Sequence, residues 1–158
     1  MAVILVGMAD LKAAQGQNSL TTLGLGSCVG VCFHDAARQI AGMAHIMLPD
    51  SASIGGNRMK VADTGIVDLL NLMARMGSQK GSLTAKLAGG AHMFGQVAPG
   101  SVLNVGERNV EACIRLIQHF AIPLVSRDVG GQHGRTIVFD AVTGALRIKT
   151  VGYGESVI

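Results

Sequence analysis

Glycine occupies 22 of the 158 positions in this chain, about twice its ordinary share of roughly 7%. So much glycine implies many positions with positive φ angles or close backbone approach, which favours a turn-rich β or α/β fold over a helical bundle. Hydrophobic residues make up 49% and charged residues 15%, which excludes a disordered chain or a coiled coil. We expect one domain over residues 1–158, because a chain of this length buries about 70% of its unfolded surface.

The formal net charge of +3 comes from scattered lysines and arginines. Nucleic-acid binding usually needs a clustered basic surface with stacking aromatic side chains, so we predict no nucleic-acid partner. The apolar N-terminal stretch is too short to cross a bilayer, and no basic segment precedes it as in a signal peptide. We expect a buried strand there, no membrane insertion and a cytoplasmic location, where thiols stay reduced.

Hydrophobic periodicity predicts two main helices among about seven strands. The helices are expected over 59–76 and from 104–107 onward, with Asn104 as the N-cap of the second; Arg108 and Asn109 are assigned no role. The strands are expected at 2–8, 28–34, 39–48, 83–88 and 122–127, with a hairpin over 135–151. Residues 50–58 are predicted to form the longest loop. This pattern indicates an α/β layered sandwich with mixed or antiparallel sheets.

The stretch TTLGLGSCVGVC predicts a glycine-containing turn that leads into a strand beginning at Cys28. Four residues of strand span about 13 Å, whereas the Cα atoms of a disulfide lie less than about 7 Å apart. Cys28 and Cys32 of a strand therefore cannot form a disulfide, and they could bind one zinc ion together only if the segment were a helix, which its glycines and β-branched valines disfavour. Three cysteines are an odd number, which also argues against a disulfide framework.

Strands 28–34 and 39–48 flank a type I turn predicted at Asp35–Arg38, so they are expected to form a hairpin. If Asp35 lies opposite Arg38, Cys28 lies directly opposite His45, with Cβ atoms about 4.5–5.5 Å apart. A histidinium at that distance would lower the pKa of the thiol and give a nucleophilic thiolate. A register shift of one residue would place the two side chains on opposite faces.

The residues before Cys28 supply further groups for such chemistry. Backbone N–H groups around Gly26 and Ser27 are positioned to bind a developing oxyanion of the substrate, and Thr22 is a candidate to orient the imidazole. The pattern alone leaves two alternatives open. Cys28 can be a small core residue, and His45 can be a core histidine with satisfied hydrogen bonds.

Six stretches of the sequence resemble the CheD family of chemoreceptor glutamine deamidases, and they occur in the family's order across nearly the whole chain. They are TLGLGSCVGVC at 22–32, AHIMLPDS at 44–51, Ala62–Asp63, KLAGGAHMF at 86–94, NVGERNVEA at 104–112, and RDVGG at 127–131 followed by Arg135.

The resemblance implies that Cys28 is the nucleophile, His45 the general base and acid, and Thr22 the third member of the catalytic group. It also implies a layered fold similar to that of toxin-type deamidases, and chemistry that needs neither a metal nor an organic cofactor. Phe94 matches an aromatic position associated with receptor contact; the alternative interpretation is an aromatic residue of the core or of a sheet edge.

Members of this family hydrolyse selected glutamine side chains of methyl-accepting chemotaxis receptors to glutamate. The resemblance therefore implies a protein-glutamine glutaminase that acts on receptor cytoplasmic helices through a thioester intermediate. Some members also act as methylesterases, and some bind a CheC-type phosphatase. Two alternatives remain: an adaptor that regulates such a phosphatase or the receptor–kinase complex, and a thiol redox protein, although the chain has no CxxC motif.

Overall fold

The computed structural model describes residues 1–50, 58–93 and 104–158. Phe94 and all but the two ends of the predicted loop at 50–58 lie outside these ranges. The strands of the described part are β1 (Val3–Leu5), β2 (Leu11–Gln15), β3 (Ser19–Leu25), β4 (Val29–Asp35), β5 (Ile40–Ile46), β6 (Leu83–Gly89), β7 (Leu124–Val129), β8 (Arg135–Asp140), β9 (Leu146–Thr150) and β10 (Gly154–Val157). Its α-helices are α1 (Ala62–Arg75) and α2 (Val105–His119). Neither helix is long and apolar enough to cross a bilayer.

The strands form two five-stranded sheets. The first sheet has the order β1-β3-β8-β9-β10, and the second has the order β2-β5-β4-β6-β7. Both sheets are mixed, because β1 pairs with β3 and β6 pairs with β7 in parallel, whereas the other pairs are antiparallel. The predicted α/β fold with mixed sheets and two helices is confirmed. The likeness to toxin-type deamidases stays a prediction.

The second sheet is the middle layer, and β4 shows why. Val29, Val31 and Phe33 on one face pack with the buried side chains of α1 and α2. Cys32 on the other face of β4, and Cys28 directly before the strand, pack with the inward side chains of the first sheet. Successive side chains of a strand point to opposite faces, so a strand with apolar residues at nearly every position fits between two cores.

Several predicted elements are confirmed. The first helix covers most of 59–76 and follows a short 3-10 turn at Arg58–Lys60. The second helix begins where Asn104 caps it, since its Oδ1 accepts a hydrogen bond from the N–H of Glu107 at 3.1 Å. The hairpin over 135–151 is formed by β8 and β9.

Other predictions are wrong. The described residues contain ten strands instead of about seven, because β2, β3 and β10 are short or interrupted and carry weak periodicity. The glycine-containing turn before Cys28 is shorter than the stretch TTLGLGSCVGVC suggests: only Gly26 and Ser27 form a bend, because the residues up to Leu25 belong to β3, whose pairing with β8 shifts between Thr22 and Leu25. The predicted buried N-terminal strand is an edge strand, with Val3 and Leu5 exposed on its outer face.

Candidate active site

Three segments bring the predicted catalytic residues to the layer between the two sheets. Thr22 lies on β3 of the first sheet, His45 is the penultimate residue of β5 in the second sheet, and Cys28 immediately precedes β4. Thr22 and His45 are each 1% exposed, whereas Cys28 is 9% exposed. Of these three residues, Cys28 therefore has the largest solvent exposure.

The predicted register of the hairpin is wrong by two residues. Asp35 pairs with Ile40, and Gly30, rather than Cys28, pairs with His45. The connection is a four-residue loop, in which the Asp35 carboxylate accepts a hydrogen bond from the backbone N–H of Arg38. A shift of two residues keeps every side chain on its face, so Cys28 and His45 still share the inter-sheet face, in a diagonal rather than direct relation.

Thr22 determines which nitrogen of His45 carries the proton. Its Oγ1 lies 2.7 Å from the backbone oxygen of Val6 and 2.8 Å from His45 Nδ1. The Val6 carbonyl can only accept, so the single hydroxyl proton of Thr22 is donated there. Thr22 Oγ1 must then accept a hydrogen bond from Nδ1–H, which leaves Nε2 of a neutral imidazole without a proton.

The remaining nitrogen of His45 is suited to act as a base. Nε2 is buried and has no hydrogen-bond partner among the described residues. Desolvation by burial lowers the pKa of His45, because a charged imidazolium loses its contact with water. The imidazole is therefore neutral around neutral pH, with a lone pair available on Nε2.

Burial also raises the pKa of the Cys28 thiol, since a thiolate is stabilised by water that the site excludes. This differs from the predicted resting thiolate, and the reason is that His45 carries no charge to offset the desolvation of the sulfur. The resting pair is a neutral thiol with a neutral imidazole. A thiolate then forms only when a base removes the thiol proton.

A glycine pair at the end of β6 holds the backbone around Cys28. Gly90 N–H donates to the Cys28 oxygen at 2.8 Å, and Ala91 N–H donates to the Gly26 oxygen at 2.8 Å. A Cβ atom at Gly89, where φ is +110°, would lie 2.3 Å from the Cys28 oxygen. Gly89 of the stretch KLAGGAHMF therefore lies where the backbone of β6 approaches the Cys28 backbone too closely for a residue with a Cβ atom.

Gly26 and Ser27, two of the predicted substrate-binding residues, lie beside the cysteine, whereas Phe94 is outside the described residues. Among the described residues, no hydrogen bond engages the backbone N–H of Ser27 or Cys28. Gly26 lies against Met93, whose Cγ would be 3.1 Å from a Cβ at that position, and Met93 is exposed. The contribution of Gly26 and Ser27 to oxyanion binding stays a prediction.

The other two thiols are inside the protein. Cys32 and Cys113 are 0% exposed, and burial raises the pKa of both, that of Cys113 to about 12. All three cysteines are free, which confirms that Cys28 and Cys32 do not form a disulfide.

One residue near the site was not predicted. Asn109 of α2 is fully buried, and its Nδ2 donates to the backbone oxygens of Ser27 and Met47, each at 3.0 Å. The available signal was a polar residue on the apolar face of the helix, one turn before Cys113, where a core-facing helix ordinarily carries a hydrophobic side chain.

A cysteine and a histidine on one face, with the histidine oriented by a third residue, form the kind of site that defines thiol-dependent hydrolases. Comparison with known proteins gives a specific assignment. The family model described as CheD chemotactic sensory transduction matches residues 47–150. The chain belongs to the CheD family, as its sequence motifs predicted.

Individual relatives match over almost their whole length. A protein of Desulfitobacterium hafniense (strain DSM 10664 / DCB-2), named probable chemoreceptor glutamine deamidase CheD, is 50% identical, with 99% of this chain and 98% of that protein covered. The chemoreceptor glutamine deamidase CheD of Halalkalibacterium halodurans is 46% identical with the same coverage. Among solved structures, the hypothetical protein YfiH of Bacillus licheniformis is similar with a TM-score of 0.48 and 17% identity, over 78% of this chain and 50% of that one.

Proposed function

We propose that this chain is a protein-glutamine glutaminase of bacterial chemotaxis that converts receptor glutamine side chains to glutamate, with Cys28 as its nucleophile. Its membership of the CheD family, whose relatives are named chemoreceptor glutamine deamidases, supports the reaction and the substrate. The observation that carries the mechanism is the pair of hydrogen bonds at Thr22, which leaves His45 Nε2 as an unprotonated base on the face of Cys28.

The first step forms a bond from Cys28 Sγ to the δ-carbon of the glutamine. His45 Nε2 accepts the thiol proton as the sulfur attacks, so the resting thiol becomes a nucleophile only in the presence of substrate. The carbonyl π electrons move to oxygen. The backbone N–H groups of Ser27 and Cys28 are the nearest candidates to stabilise that oxyanion.

The second step breaks the bond between carbon and nitrogen. The protonated His45 returns its proton to the leaving nitrogen, which departs as ammonia, because an amide anion is too basic to leave unassisted. A glutamyl thioester on Cys28 remains. His45 then takes a proton from water, the resulting hydroxide attacks the thioester, and the Cys28 sulfur leaves and regains a proton. The net reaction consumes one water and gives glutamate and ammonia.

The same site would hydrolyse a glutamyl methyl ester, because methanol is an easier leaving group than ammonia. We therefore include methylesterase activity in the proposal.

We also include a CheC-type phosphatase as a partner that competes with the receptor for the site. The reaction is placed in the cytoplasm, where the receptor helices are exposed and where the three free thiols would stay reduced.

The proposal is tested by mass spectrometry of a receptor cytoplasmic domain incubated with wild type, Cys28→Ala and Cys32→Ala. The wild type and Cys32→Ala proteins should convert specific glutamines to glutamate, because Cys32 is sealed in the core. The Cys28→Ala protein should give no conversion above the spontaneous rate. Conversion by Cys28→Ala at the wild-type rate would show that Cys28 is not the nucleophile.

The same variant separates catalysis from an adaptor role. An adaptor that regulates a phosphatase or the receptor–kinase complex would preserve chemotactic signalling in cells that carry Cys28→Ala. A deamidase would lose signalling together with receptor conversion, although the variant protein remains folded.

A further inference from the structure

We infer that Asn109 is a positioning residue that fixes the distance between the Cys28 segment and the His45 strand. Asn109 lies on α2, on the side of the middle sheet away from Thr22, and none of its surface is exposed. Its amide nitrogen lies 3.0 Å from the Ser27 oxygen and 3.0 Å from the Met47 oxygen. It therefore bonds to the residue before the nucleophile and to the second residue after the base.

The orientation of this amide follows from its partners. The Ser27 and Met47 partners are backbone carbonyl oxygens, which can only accept hydrogen bonds. The NH₂ group of asparagine supplies two donors. One side chain can thus satisfy both carbonyls at once. A carboxylate at this position would instead place negative charge beside two acceptors.

The location explains why the site needs such a bridge. The pairing of β4 with β5 ends at Val29 and Ile46, so no ladder hydrogen bond joins Cys28 to Met47. Beyond that point the two segments form hydrogen bonds with different parts of the protein. The Cys28 oxygen accepts from Gly90 N–H, and Met47 N–H donates to the Lys60 oxygen. The Asn109 side chain connects the two segments where the ladder stops.

The bridge carries a cost that a purely structural residue would avoid. Asn109 Oδ1 is buried and has no hydrogen-bond partner among the described residues, and an unsatisfied buried acceptor lowers stability. A hydrophobic residue on this helix face would pack without that penalty. Three nearby buried residues on the same face, Gly106, Ala112 and Cys113, are small and carry no charged or hydroxyl group.

This inference rests on the proposed function, because the distance that Asn109 controls matters only if Cys28 and His45 react together. Loss of the bridge should then slow the chemical step more than substrate binding, since displacement of reacting groups by about 1 Å can reduce the rate up to roughly a hundredfold. We expect kcat for receptor deamidation to fall about ten- to hundredfold in Asn109→Ala, with KM changed less than about twofold.

The matched control is Asn104→Ala on the same helix. Asn104 caps the N-terminus of α2 through Glu107, so its loss weakens the helix without touching Ser27 or Met47. Both variants should melt at lower temperature than wild type. Asn104→Ala should keep kcat within about twofold of wild type at a temperature where all the proteins are folded.

Iodoacetamide labelling separates displacement of the site from unfolding. Cys28 of the folded Asn109→Ala protein should still be alkylated at high pH, whereas the buried Cys32 and Cys113 should stay unlabelled. Three labels per chain would indicate an unfolded protein, and Asn109→Ser, which keeps one donor, then replaces Asn109→Ala in the comparison.

Two outcomes would overturn the inference: equal kcat values for the Asn109 and Asn104 variants, or insolubility of both Asn109 variants while Asn104→Ala stays soluble. The second outcome would make Asn109 a residue of the fold alone. If Cys28→Ala kept full deamidase activity, the proposed function would fail instead, whatever the Asn109 variants did.

Discussion

At the scale of single residues, the proposed chemistry depends on the position of one proton on His45. The Thr22 hydroxyl donates a hydrogen bond to the Val6 carbonyl, and this leaves Nδ1–H of His45 as the donor to Thr22 and Nε2 as the unprotonated base. Because burial lowers the pKa of His45 and raises the pKa of Cys28, the resting pair is uncharged. The site therefore resembles a serine hydrolase, in which a base removes the proton during attack, more than a preformed thiolate–imidazolium pair.

The pH dependence should reflect this neutral pair. Protonation of His45 inactivates the base, and a lowered pKa moves that event to more acidic pH, so the acid limb of kcat/KM should have its midpoint below the ordinary histidine value of about 6.5. Cys28 should react with iodoacetamide with a midpoint above the ordinary cysteine value of about 8.5, because its raised pKa keeps the thiol protonated longer. The pH profile of kcat/KM for receptor deamidation reports the pKa of His45 in the free enzyme, and the alkylation midpoint is measured directly on the substrate-free enzyme.

Peptide mapping assigns the label to Cys28, and the Cys28→Ala protein is the control that should remain unlabelled while folded. Rapid alkylation of Cys28 with a midpoint below about pH 7 would contradict the neutral pair and would indicate a thiolate stabilised by a charged histidine.

The sequence predicted the faces of these residues better than their pairing. Because side chains alternate along strands, a wrong turn that shifts the register by two still placed Cys28 and His45 on one face. The direction of the Thr22 hydrogen bond could not be predicted, since it depends on the carbonyl of Val6, which follows β1 and lies 16 positions before Thr22 in the chain.

At the scale of elements, the C-terminal end of β6 and the residues directly after it hold the Cys28 segment in place. Gly89 has a φ of +110°, and a Cβ there would lie 2.3 Å from the Cys28 oxygen, a distance that backbone atoms can relieve only by moving. Gly130 provides a comparison, because its φ is +84° and a Cβ there would have no heavy atom within 4 Å.

Gly89→Ala should therefore be more damaging than Gly130→Ala. The Gly130 variant should lose about 1–2 kcal/mol of unfolding free energy from backbone strain, with deamidation close to wild type. The Gly89 variant adds a backbone clash and should lose roughly 2–4 kcal/mol, with at least a tenfold lower kcat because the sulfur is displaced. Urea unfolding and receptor deamidation measure the two effects.

Equal stability and equal activity in the two variants would show that the close approach to Cys28 is unimportant. The sequence pattern predicted that a strand ends at Gly89–Gly90. It could not predict that the Cys28 segment packs against these two glycines. That contact joins residues about sixty positions apart, and local periodicity carries no information at such separations.

At the scale of the whole molecule, the site is formed by the packing of two sheets. Thr22 comes from the first sheet and His45 from the second, while Cys28 lies where the chain passes from one sheet to the other. The two helices cover only the other face of the second sheet. Periodicity identified both helices, but the continuous apolar runs of β4 and β5 could not indicate which face meets the helices and which meets the second sheet.

Because of this packing, the three thiols differ in their solvent exposure. Cys32 and Cys113 lie in the two cores with no exposed surface, whereas Cys28 sits at the edge of the inter-sheet layer and is 9% exposed. A receptor peptide in which the target glutamine is replaced by its diazoketone analogue would bind as a substrate and alkylate the nucleophile that attacks it.

The most direct test is to incubate the folded wild-type protein with this peptide and to map the adduct by mass spectrometry. We predict one adduct per chain, on Cys28, with deamidase activity lost in proportion to labelling. An adduct on Cys32 or Cys113, or full activity in a completely labelled protein, would contradict the central role of Cys28.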